Sequence, residues 1–250
     1  MLLPKFQTKM KRFVSLLILG LLSLQAVQAQ SSSHYGFFPT IDHSGTLSDR
    51  WGYGFYYFGG ITPINPLSEG MKENPQFSVF YAEQALTYNV TPRFSLTGAY
   101  VYERQYPTQS NYRNENRLHF QATYKHDVKA VNFKHRLRYD ARFVQNRSNG
   151  QTPFTPRIRY LLGITTPLKK TGKCYFTAYN EMFFNTFKNA DAVYGENWAY
   201  AGVGIKTARA GTFEAGPLYI FWVNNKQREL SNFAYLQLTW ITHLDLRKKP

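Results

Sequence analysis

Apolar and charged residues alternate strictly over 131–147: Val131, Phe133, Leu137, Tyr139, Ala141 and Phe143 fall on one face, and Asn132, Lys134, Arg136, Arg138, Asp140 and Arg142 on the other. Side chains of an extended strand point alternately to opposite faces, so a strand sorts these residues completely, whereas a helix would scatter the charges around its circumference. His135 is the one member of the apolar face that does not fit it. The stretch just before behaves alike, with Leu118, Phe120, Ala122, Tyr124 and Val128 opposite Arg117, His119, Gln121, Thr123, Lys125 and Asp127. A few residues around Lys129 join the two, which makes them a tight hairpin.

The same period runs through 93–106 and 157–166 and, less regularly, through 173–185, 197–208, 212–224 and 232–246. Segments 51–61 and 76–88 are aromatic-rich and alternate loosely. The connections alternate too: those near 89–92, 128–131, 167–173 and 209–211 are short, and those near 62–75, 107–112, 148–156 and 186–196 are longer and more polar. Short turns on one side and long loops on the other are the pattern of outer-membrane barrels. Counted from Trp51, the segments make an all-β, antiparallel up-and-down barrel of about 10 strands, with 12 as the alternative. Because single-chain bacterial barrels have even strand numbers, residues 30–50 are expected to be a lead-in or partial strand, and 51–250 the barrel.

The front of the chain explains how such a barrel would reach a membrane. Lys5, Lys9, Lys11 and Arg12 precede an uncharged, Leu-rich run over 13–27, and Val27 and Ala29 are the small residues before a cleavage point. That run is about 15 residues, against the roughly 20 a spanning helix needs, so 1–29 reads as a removable signal peptide. No later window is apolar enough to span. Aromatics are 17% of the chain while mean hydropathy is −0.43, a pairing expected when one face of each strand meets lipid and the other does not. The expected location is therefore the bacterial outer membrane, with Tyr100, Tyr102, Tyr219, Phe221 and Trp240 near the head groups. A carbohydrate-stacking role for Trp51, Tyr53, Tyr56 and Tyr57 is the lesser reading of those aromatics.

Formal charge is +15, of which four positive charges lie in the signal, leaving about +11. Such a surface favours anionic partners. For an exported chain these are lipid head groups rather than nucleic acid; a small-molecule ligand is not legible, and a monomer is favoured. The single Cys174 excludes an internal disulfide and reads as an inert packed thiol.

The chemistry of most interest is a set of inward-facing charges: Glu103, Arg117, Lys134, Arg136, Arg138, Asp140, Arg142, Arg157, Arg159, Glu181 and Glu214. Desolvated inside a narrow barrel, each would cost several kcal/mol unless paired. Either they form a carboxylate and guanidinium network that plugs the lumen, or they line an anion-selective pore. A lipid-modifying enzyme would need a Ser and a His in contact near the membrane rim, and no strand offers them: His119 faces inward, His126 and His135 outward, and His243 sits near the periplasmic end. The six His make no metal-ligand pattern, and Gly202 and Gly204 lack the third glycine and the helix of a dinucleotide loop. No catalytic, cofactor or metal residues are assigned.

The runs VNFKHRLRYDARFVQNR, PRIRYLLGITTPL, YFTAYNEMFFNT and AGVGIKTARAGTFEAGPLYIFWVNN, in that order and spacing, resemble the domain-of-unknown-function family 2490 over roughly 50–246. The resemblance implies an outer-membrane barrel and carries no established activity, so no functional residue comes with it.

Overall fold

A computed structural model describes residues 31–64, 76–169, 171–188, 190–223 and 229–247. The signal segment 1–29 and most of the connection at 62–75 lie outside the described residues. Within them the secondary structure is eleven β-strands and no helix: β1 (Ser31–Thr46), β2 (Trp51–Ile64), β3 (Gln76–Asn89), β4 (Phe94–Gln105), β5 (Arg113–Val128), β6 (Val131–Val144), β7 (Arg157–Pro167), β8 (Cys174–Asn185), β9 (Tyr194–Lys206), β10 (Thr212–Val223) and β11 (Leu230–Asp245). Each strand pairs with the next in the chain, and β11 returns to β1, closing a barrel.

The count of eleven falls between the ten and twelve read from the pattern, because residues 31–46 form a complete strand. Its alternation is real: Phe38 and Thr40 are buried inward, while Tyr35, Phe37 and Ile41 are exposed outward. Gly36 and Pro39, both poor strand formers, hide that pattern in the sequence. Ten antiparallel neighbours bring β11 back to the direction of β1, so the closing seam is parallel. Parallel ladders are slanted and slightly weaker per residue. Here a backbone bond, Leu246 N–H to Thr46 O at 2.9 Å, is joined by side-chain contacts: His43 Nδ1 lies 2.7 Å from Thr242 Oγ1, and His243 reaches both Ser44 Oγ (3.0 Å) and Thr46 Oγ1 (3.2 Å).

The sorted faces of β5 and β6 appear as read. Arg117, His119, Arg138 and Asp140 are buried in the lumen, whereas Leu118, Phe120, Leu137 and Tyr139 are exposed on the outer wall. His135 is reconciled there: its ring stacks on His126 at 5.2 Å and its Nδ1 lies 2.8 Å from Tyr160 Oη. Gly204 faces inward under the ring of Tyr175, where any β-carbon would collide with it, so the ring takes the space the glycine leaves.

Candidate functional site

The lumen is filled in two different ways. Over β1–β3 and β8–β11 the inner wall is aromatic and aliphatic. Phe38 stacks on Phe58, and Phe58 on Tyr81, with centroids 4.5 and 4.4 Å apart; Trp198 meets Phe38 edge-on at 5.7 Å, and Tyr235 lies 5.4 Å from Phe38. Tyr200, Leu218 and Ile220, with Val101 reaching in from β4, complete this cluster.

Over β3–β9 the inner wall is ionic. Cross-strand register sets like charges directly opposite one another: Glu103 with Glu115, Arg117 with Arg142, and Arg138 with Arg159. Opposed like charges are destabilising on their own. Here each pair is neutralised by groups one row away. Arg117 contacts both Glu103 and Glu115, and Glu115 in turn receives Arg142 through Nε (2.8 Å) and Nη2 (2.7 Å). Asp140 accepts from Arg157 Nε at 2.7 Å, with Arg159 at 3.6 Å and Arg117 at 3.8 Å. Glu181 holds Arg159 through two bonds of 2.8 Å and Arg136 at 2.7 Å. Arg138 pairs with Glu83 at 3.4 Å and with Gln121, and Arg157 reaches Glu196 at 3.1 Å.

Arg117, Arg136, Arg138, Arg142, Arg157 and Arg159 thus face Glu83, Glu103, Glu115, Asp140, Glu181 and Glu196, and the formal charges cancel. His119, with no exposure, sits within this set; its Nε2 is 3.2 Å from Glu83 Oε2 but not aligned as a hydrogen bond. The two linings meet through rings: Arg159 lies 4.3 Å and Arg157 4.7 Å from the Phe183 centroid, Tyr81 donates to Glu83 at 2.6 Å, and Trp198 Nε1 to Glu196 at 2.5 Å.

Of the eleven charges read from the sequence, nine join this network. Lys134 and Glu214 do not. Both face the lumen nearer the short turns, where Glu214 accepts from Tyr175 Oη at 2.5 Å and Lys134 makes no ion pair with any described residue. Three carboxylates essential to the balance escaped the sequence reading. Glu83 lies in a loosely alternating segment, while Glu115 and Glu196 lie in strand starts that come before the regular pattern read from the sequence. The signal that could have found them is arithmetic, since six guanidinium groups crowded into a narrow lumen require about as many acids beside them. Among the described residues no group of three or more His, Cys, Asp or Glu is placed to hold a metal ion.

Comparison with curated proteins and with solved structures finds no match. The profile of the family described as "Protein of unknown function (DUF2490)" matches residues 40–231, spanning the barrel from β1 into β11 and including every member of the ionic network. A match over that much of the chain, carried by the strands that build both linings of the lumen, makes this protein a member of the domain-of-unknown-function family 2490.

Proposed function

We propose that the chain is an exported bacterial outer-membrane barrel with a sealed lumen, serving a structural or binding role and not acting as a pore. The observation that carries this reading is the cancelled ionic network locked against an aromatic wall. An anion pore needs cations left available to passing ions, and every arginine of the ring is already committed to a carboxylate.

The outer wall supports the membrane part. Phe120, Leu137 and Val203 are 64%, 55% and 45% exposed, and side chains of this size in a continuous band suit acyl chains, not water. Toward the long loops the band ends in Tyr–Asn pairs, Tyr100 to Asn116 at 2.6 Å, Tyr102 to Asn114 at 2.9 Å and Tyr219 to Asn232 at 2.6 Å. Toward the short turns it ends in Trp51 against Tyr88 and in Trp240, whose Nε1 donates to Ala210 O at 2.7 Å. Along β11 the run from Asn232 to Trp240 is about 27 Å of strand. At a tilt of about 40° that is about 20 Å of height, close to the roughly 25 Å apolar band of such barrels. Lipid is the immediate partner, and the net positive charge favours anionic head groups.

The test is conductance in planar bilayers with the chain lacking residues 1–29. Absence of stepwise current is expected. A steady anion-selective current that changes in Arg136→Ala or Arg138→Ala would replace this reading with the channel.

A further inference from the structure

Beyond the ionic network, toward the short turns, the described residues include a row of cations with no ion-pair partner. One row beyond Arg136 toward the short turns, Lys125 of β5 stands directly opposite Lys134 of β6, both on the lumen face. On the other side of Lys125 its N–H donates to Arg93 O at 2.8 Å, which sets Arg93 at the next position of the same row. Three basic residues therefore sit at consecutive cross-strand positions, about 5 Å apart.

In the network every opposed like-charge pair has its own counter-ions. Here no described carboxylate comes within 4 Å of Arg93, Lys125 or Lys134. Asp127, two positions along β5, is engaged by Asn132 Nδ2 at 2.9 Å. Asp42, on β1, acts on Lys134 only from beyond ion-pair distance. The next position of the row is Gly163, opposite Lys134 on β7. A β-carbon there would meet nothing closer than 3.5 Å, so crowding does not demand glycine, and a residue with no side chain adds no counter-charge beside Lys134. Lys125 is exposed and Lys134 half-buried, so the row is reachable from the short-turn mouth while the ionic network forms a floor above it.

We propose that Arg93, Lys125 and Lys134 form a binding site for a phosphate-bearing ligand entering the lumen from the short-turn side. A multiply charged oxyanion offers several acceptors to several donors at once and would relieve the repulsion that the fold otherwise leaves standing. The inference rests on the sealed-lumen reading only for the floor of the site; conductance tests that floor and phosphate binding tests the site, so either can fail alone.

The experiment titrates inorganic phosphate and pyrophosphate into the full chain refolded in zwitterionic detergent, read by calorimetry at low salt. Saturable binding is expected, weakened at least tenfold by Lys134→Gln, lost in Lys125→Gln/Lys134→Gln, and falling with ionic strength. Because the substitutions remove opposed charges, the ligand-free double variant should melt at or above the parent temperature, with an unchanged strand signal in circular dichroism. Repeating the titration in phosphatidylcholine and phosphatidylglycerol nanodiscs separates the sources of phosphate. Pyrophosphate excluded only from the phosphatidylglycerol discs identifies a lipid head group reaching over the rim, and binding in both identifies a free ligand. Absence of saturable binding, or binding untouched by the double substitution, overturns the proposal, as does a double variant that melts lower.

Discussion

The two linings of the lumen perform the same task with opposite physics. The aromatic arc excludes water by filling volume, and its rings need only be the right size and near enough. The ionic arc excludes water by holding each of its guanidinium groups against a carboxylate, so its members are constrained in direction as well as volume. The lesson is that tolerance to substitution should differ sharply between two halves of one small cavity, although both are equally buried.

The largest expected effect is in the ionic arc. Asp140→Asn keeps the shape of the side chain but strips a shared counter-charge from Arg117, Arg157 and Arg159. Leaving buried guanidinium groups uncompensated costs about 3–5 kcal/mol, measurable as a lowered denaturant midpoint of the refolded barrel. In the aromatic arc, Phe38→Leu exchanges one buried hydrophobe for another of similar bulk. It should cost less than about 1.5 kcal/mol by the same measurement. Equal losses in the two variants would remove the distinction between the linings.

The smallest effect comes from the same chemistry in water. Asp245 and Arg247 pair at the rim, beyond the Trp240 girdle, and Arg247 also reaches Asp49 at 3.3 Å. Hydrogen bonds from Arg247 lower the Asp245 carboxyl to about 2. A depressed acid contributes its stabilisation above its unfolded value of about 3.9, and that contribution is lost as pH falls through the folded value. The protection factor of the Leu246 amide, which bonds Thr46 at the seam, should therefore drop between pH 5 and pH 2 and stay flat above pH 5. A seam indifferent to that titration would mean that the exposed pair carries nothing, the usual fate of surface ion pairs.

Legibility followed the same division. Arg136, Arg138, Asp140 and Arg142 were readable as a lumen-facing set because charge and grease alternate without exception around them. Glu83, Glu115 and Glu196 were not, because their local pattern is aromatic or loop-like and their burial comes from strands extending past the regular stretch. Lys134 was grouped with the arginines for sitting on their face. Only the register shows that it stands one row lower, opposite Lys125 and away from every carboxylate of the network.

The sequence by itself determined the fold class and which face of each regular strand turns inward, since a period of two leaves no other arrangement that sorts charges from apolar groups. It also left open whether the circle closes on ten strands, eleven or twelve. Closure is a long-range event: Ser44 and Thr46 meet His243 across nearly the whole chain, and no local pattern records that meeting. The pairing of specific acids with specific arginines belongs to the tertiary structure for the same reason. Alternation assigns a side chain to a face, and only strand register decides which opposite charge it finds there.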